Sequence, residues 1–181
     1  MVPRPATEDL VAAAHERIEN RPARVVDVGT GSGAVAIAIA AAAERAEVWA
    51  TDTSPTAIAL ARANIARHGL SDRVRARQGD LLDRVPRPID LVVANLPYLP
   101  SGEASRYPEL ELDPSEAIFA GGDGLDPYRR LLAQSAAALA ADGALLIQLH
   151  RRVLAATRAT LPLLRAELER YAVADQIRTA A

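Results

Sequence analysis

The sequence predicts a doubly wound α/β domain built on a mostly parallel sheet. Three observations predict it. β-Branched runs of strand length alternate with Ala-rich helical segments, several of those runs end on Gly, Asp or Asn, and a hydrophobic content of 50% over 181 residues supplies one sizeable core. Such alternation requires crossover connections, which pair strands in parallel and place helices on the faces of the sheet.

The elements follow in order. "TEDLVAAAHERIEN" reads as a helix from Thr7 to Asn20, capped by Thr7, with Glu8 and Asp9 at its positive end and two prolines stiffening the approach. "RVVDV" is a strand ending at Val28; three glycines and an Ala-rich helix come next. The unit recurs in "EVWATDTSPTAIALARANIARHG", where Ser54 caps, Pro55 takes the first helical position and Gly69 closes the helix. "RVRARQGDLL" is a third, more polar strand with a turn at Gly79, and "IDLVVA" a fourth, buried on both faces. The stretch from Asn95 to Leu125 is rich in Pro, Gly, Ser and acid and reads as a long functional loop. Asp126 and Pro127 start a helix through "DPYRRLLAQSAAALAADG" that stops at Gly143, and "ALLIQL" is the fifth strand. From Arg151 to Ala181 the chain reads as helical, broken at Pro162, an atypical tail that is either the last layer of the domain or a docking element. One domain over residues 1–181 is expected, with a recognisable core at 1–150 and a divergent segment at 151–181.

Composition narrows the function. The absence of Cys excludes disulfides and thiolate chemistry. His15, His68 and His150 lie far apart without ligand spacing, so no metal is expected. A net charge of -2 and a pI near 5.9 argue against direct nucleic-acid binding, which favours basic domains. No apolar run suits a signal peptide or a membrane span, so the expected address is the cytoplasm.

The motifs point to a cofactor. "DVGTGSGA" joins a strand to a helix, and glycines there let backbone amides and the helix N-terminus approach a nucleotide-like ligand. Gly29, Gly31 and Ala34 also satisfy the looser dinucleotide fingerprint, and Asp52 at the end of the second strand suits ribose hydroxyls in either case. Asp80, with Leu81 beside it, can accept from an adenine amine. "NLPY" decides between cofactors. An amide or aromatic amine is a poor nucleophile, so an enzyme alkylating it must accept both N–H protons and hold the nitrogen in line. The Asn95 side-chain oxygen can accept one proton and the Leu96 carbonyl the other, with Pro97 fixing the turn and Tyr98 packing on the planar group. A nicotinamide dehydrogenase has no need of this tetrad; methyl transfer from S-adenosyl-L-methionine does.

Over roughly residues 2–150 the chain resembles the catalytic domain of the HemK/PrmC protein-(glutamine-N5) methyltransferases, which modify the Gln of the GGQ motif in peptide chain release factors. The resemblance rests on "VPRPATEDLV", "VVDVGTGSGAVAIAIA", "ATDTSPTAIALARANIARHGL", "QGDLL", "VVANLPYLP" and "GGDGLDPYRRLLAQSAAALAADGALLIQL". It implies a class I S-adenosylmethionine-dependent methyltransferase fold, Rossmann-like, and a release factor as protein partner. It also implies that Asp27, Gly29, Thr30, Gly31, Ser32, Gly33, Asp52, Asp80, Leu81 and Asn95 bind the cofactor, with Gly29 to Gly33 at the methionine end, Asp52 at the ribose and Asp80 and Leu81 in the adenine region, and that Asn95, Leu96, Pro97 and Tyr98 hold the target amide. "GGDGLDPYRR" is expected to bracket the site. Three departures stand out. Leu96 replaces the first Pro of the family's Asn-Pro-Pro-Tyr, a form shared with rRNA adenine dimethyltransferases. The family's N-terminal substrate-recognition domain is expected to be absent, and its closing β-hairpin is not legible in the tail. The alternatives are an N6-adenine DNA or RNA methyltransferase and a degenerate cofactor-binding module without turnover.

Overall fold

The computed structural model describes residues 5–19, 21–97 and 126–148, with side chains from residue 8 onward. Among these residues five strands form one sheet: β1 (Ala23–Val28), β2 (Ala46–Asp52), β3 (Val74–Gln78), β4 (Ile89–Ala94) and β5 (Leu139–Ile147). They lie in the order β3-β2-β1-β4-β5, and every pairing is parallel. The chain winds outward from β1 to β3 and then returns to β4. The winding therefore reverses between β1 and β4, where sheets of this kind bind ligands beyond the carboxyl ends of their strands.

Helices cover both faces. α1 (Pro5–Ile18), α2 (Ala34–Ala42) and α3 (Pro55–Arg67) pack on one, and α4 (Asp126–Ala136) lies on the other. The pleat sends alternate residues to opposite sides, so Val25 joins Ile18, Ile39 and Ile65 while Val26 and Val28 join Tyr128 and Leu131. β1 and β4 are covered twice, which is why both are nearly continuous apolar runs. β3 stands at a margin and alternates instead, with Val74 and Ala76 buried and Arg75 and Arg77 exposed.

Three elements depart from the sequence expectation, α1, α4 and β5, the last beginning at Leu139 rather than at Ala144. α1 runs from Pro5 to Ile18 rather than from Thr7 to Asn20. Proline is suited to a first helical turn, where an N–H would lack a partner in any case, so the helix starts upstream of Thr7. The larger difference is at α4, which ends at Ala136 rather than at Gly143. "LAADG" has helical composition, but Ile89 donates its N–H to the Ala138 carbonyl at 3.0 Å and pairs with Leu139, drawing the segment into the sheet. The β4–β5 register then shifts between Ile89 and Leu91. A Cβ on Gly143 would stand 2.9 Å from the Ile89 carbonyl oxygen, so this glycine serves a close backbone approach within β5 and stops no helix. The other caps hold: the Ser54 hydroxyl accepts from the Ala57 N–H at 3.3 Å, and the Gly69 and Leu70 amides close α3 on Ala66 and Ile65. The tail at 151–181 lies outside the described residues, as do most of the long loop and the "GGDGL" part of the bracket.

Candidate active site

The sheet register lines up the strand tips. Val28 pairs with both Thr51 and Ala94, and Asp52 with Gln78, so the loop after β1, Asp52, the turn after β3 and Asn95 share one edge. After Val28 the amides of Gly29 and Thr30 both donate to the Thr51 carbonyl, at 2.9 and 3.0 Å. Gly31 then donates to Asp52 Oδ2 at 2.9 Å, and Gly33 to the Thr30 carbonyl at 2.9 Å. The Ser32 carbonyl accepts from Asn64 Nδ2 on α3 at 2.9 Å. Gly33, with φ 83°, precedes α2 and would set a Cβ 3.2 Å from that of Ala61, so conformation and crowding both call for glycine. Where the sequence suggests that loop amides are offered to a ligand, these four donate within the protein. The loop's open side is at Gly31, where a Cβ would meet no atom within 4 Å.

Three carboxylates stand along this edge, each in a different setting. Asp27 is buried, and its Oδ2 accepts from the Thr30 hydroxyl at 2.6 Å and from the Ala36 N–H at 3.1 Å, tying the loop to the first turn of α2. Burial pushes its pKa up to about 6, the two hydrogen bonds oppose that rise, and the nearby negative charge of Asp52 adds to it. Asp52 is half-buried and accepts one amide on each oxygen, from Gly31 and from Ser54 at 2.9 Å each. A carboxylate has about four acceptor sites, so capacity for hydroxyls remains. Asp80 is half-exposed and paired with Arg130 of α4. Leu81 turns its side chain into the core beside Leu82 and Trp49, while its carbonyl accepts from the buried Thr51 hydroxyl at 2.7 Å.

The fourth tip carries Asn95 to Pro97, where the sequence leads one to expect a grip on the nucleophile. Asn95 and Pro97 are half-buried, Leu96 is buried, and Tyr98 lies outside the described residues. Leu96 sits on the glycine loop: a Cβ on Gly29, whose φ is 70°, would fall 2.7 Å from Leu96 Cδ2 and 3.9 Å from the Asn95 carbonyl oxygen. Only glycine leaves room for this seat. The Leu96 carbonyl accepts a 2.6 Å hydrogen bond from the Tyr128 hydroxyl of α4. Sequence reasoning placed Tyr128 only in a bracketing block; the available signal is a tyrosine on the buried face of a helix, which needs a partner for its hydroxyl. Thr51 was missed altogether. A depression of about 530 Å³ at the outer edge of β3, lined by Trp49, Arg62 and Arg75 among others, contains none of the predicted site residues.

Residues 5–107 match the methyltransferase small domain family. The chain is 44% identical over 154 residues to a release factor glutamine methyltransferase of Deinococcus radiodurans, which covers 84% of this chain and 55% of that protein. A release factor glutamine methyltransferase of Gloeobacter violaceus is 41% identical over 152 residues, 82% of this chain and 53% of that protein. The chain thus spans about half the length of the curated relatives it matches. Among solved structures, the catalytic domain of hMettl16 in complex with the MAT2A 3'UTR hairpin 6 superposes with a TM-score of 0.72 at 17% identity, over 91% of this chain and 64% of that one. The ribosomal protein L11 methylase of Lactobacillus delbrueckii subsp. bulgaricus gives 0.61 at 24% identity, over 93% and 69%. What these structures share with the chain is the class I S-adenosylmethionine-dependent methyltransferase fold.

Proposed function

The chain belongs to the methyltransferase small domain family, and from that premise we propose that it transfers a methyl group from S-adenosylmethionine to the side-chain amide of the glutamine in a release factor GGQ motif. The names of its relatives support the substrate. The observation that carries the reading is the meeting of two strand tips, with Asn95 and Leu96 after β4 seated against Gly29 after β1. This juxtaposition brings an acceptor pair to the edge of the cofactor loop.

The residues fit the cofactor. Gly31 borders open space, and Asp52 keeps acceptor capacity for ribose hydroxyls. In this reading Asp27, Gly29, Thr30, Ser32 and Gly33 shape the methionine end, and Asp80 and Leu81 the adenine side. When bound, the cofactor supplies a methyl carbon made electrophilic by its sulfonium. Asn95 Oδ1 would accept one N–H of the glutamine amide and the Leu96 carbonyl the other, which aims the nitrogen and stabilises the positive charge it gains as its bond to the methyl carbon forms and the carbon–sulfur bond breaks, its electron pair passing to sulfur to leave a neutral thioether. The surplus proton leaves the nitrogen for water once transfer is complete, so no strong base is required.

No helix among the described residues is long and apolar enough to cross a membrane. The proposed substrate, a release factor, is what suggests the cytoplasm as the place of reaction. The experiment is incubation with methyl-labelled S-adenosylmethionine and a release factor, followed by peptide mass analysis. Label on the GGQ glutamine is expected. Label confined to an adenine-containing oligonucleotide would replace the substrate assignment.

A further inference from the structure

We propose that Tyr128 is a positioning residue: its hydroxyl fixes the Leu96 carbonyl so that the second lone pair of that oxygen faces the nucleophile's N–H. The inference rests on the reading of the Leu96 carbonyl as a substrate acceptor. A peptide unit is normally held at both ends, through its carbonyl and through the N–H of the next residue. The unit after Leu96 has no such second hold, because Pro97 contributes no N–H. What orients this plane is the 2.6 Å hydrogen bond from Tyr128, a length at the short end for O–H···O.

The donor is itself fixed. Tyr128 is 4% exposed and packed beside Leu131 and Val92 in the core under β4. α4 is tied to the turn after β3 at two further points, where Arg130 pairs with Asp80 and Gln134 Oε1 accepts the Leu82 N–H at 3.0 Å. The hydroxyl is therefore anchored to the sheet independently of the turn that it holds. A carbonyl oxygen has two lone pairs, and filling one leaves the other with a defined direction. A donor at the first also draws some electron density from the second, but a misaimed acceptor costs more than a slightly weaker one, since displacements on the order of 1 Å in a site cost about 100-fold in rate.

The test is Tyr128→Phe, which keeps the ring and removes the O–H. With a GGQ peptide as acceptor, kcat should fall roughly tenfold while peptide KM and cofactor Kd stay within about twofold. The carbonyl ¹³C resonance of Leu96 should move upfield in the same variant. Unchanged kcat, or a loss shared equally with cofactor binding, overturns the proposal. In the wild-type protein the Tyr128 hydroxyl proton should exchange slowly and couple to the Leu96 carbonyl carbon; without that coupling the proposal fails, even if Tyr128→Phe does not fold. Wild-type protein that methylates only an adenine oligonucleotide refutes the glutamine substrate and not Tyr128, and the kcat comparison is then made on the oligonucleotide. Transfer to neither acceptor removes both readings.

Discussion

The two halves of the site are built by different means. The loop from Gly29 to Gly33 is stitched to its immediate neighbours, through Thr51, Asp52, Thr30 and Asn64, all within the first two β-α units. The turn from Asn95 to Pro97 rests on Gly29 and hangs from one hydroxyl of a helix much later in the chain. Local hydrogen bonds shape the proposed cofactor side, whereas the proposed acceptor side depends on docking of α4. Damage to the first half should therefore appear in cofactor affinity and loop stability, and damage to the second in turnover.

The sharpest way to break this division is Asn95→Ala. Loss of one acceptor aimed at developing charge should lower kcat by about 100- to 1,000-fold with little change in cofactor Kd, measured by single-turnover transfer and calorimetry. An equal loss in both would merge the two halves into one. Next comes Asp27→Asn, which tests the cofactor half through stability. A carboxyl that burial pushes from the usual 3.8 up to about 6 holds its proton more tightly in the folded state. Its contribution is fully present below about pH 4 and lost as pH rises through 6, by about 3 kcal/mol. Both partners of Asp27 bond the same oxygen, so an asparagine can keep them without the buried charge. Denaturant melts should show Asp27→Asn gaining on wild type from pH 4 to pH 6 and holding a constant lead above. A difference that is flat with pH would mean that the buried charge is already neutralised by its surroundings.

Asp52→Ala should raise cofactor Kd on the order of 10- to 100-fold, the worth of charge-assisted hydrogen bonds, and leave saturated kcat less affected. The smallest effect lies where the halves touch. Gly29→Ala carries left-handed strain of about 1–2 kcal/mol and also presses on Leu96 Cδ2. Combined with Leu96→Ala, the pressing is relieved and the strain is not, so the pair should be non-additive by about 1 kcal/mol in chemical denaturation. Strict additivity would show that the loop and the turn are not in mechanical contact.

The same division separates what could be read from the sequence and what could not. That the glycine loop, Asp52 and the Asn95 turn share one edge was legible because each sits at the end of an apolar run, and parallel register carries run ends together. The Ser54 cap and the close at Gly69 were legible for a similar reason, since caps bond within a few residues. The contacts of α4 had no such signal. Tyr128 to Leu96, Arg130 to Asp80 and Gln134 to Leu82 span 32, 50 and 52 residues, and nothing in local patterning pairs them. The expectation of a longer α4 failed on the same ground: the backbone of β4 at Ile89, which draws Ala138 and Leu139 into the sheet, is a tertiary partner that composition does not reveal. Leu96 was read as a departure from Asn-Pro-Pro-Tyr, and only packing shows what it adds, a side chain seated against the glycine loop.

The margin at β3 bears on solubility. A marginal strand offers unpaired backbone groups to any extended segment that drifts against it. Arg62 of α3 reaches over and donates from Nε to the Ala76 carbonyl at 3.1 Å, while the guanidiniums of Arg75 and Arg77 sit over the Trp49 ring, each 5.6 Å from its centroid. A foreign strand joining here would have to displace one cation and bring its own chain alongside two more. Arginine on this border would thus hinder fibril-like stacking, a protection that charge-neutral replacement of Arg75, within the strand, is expected to weaken.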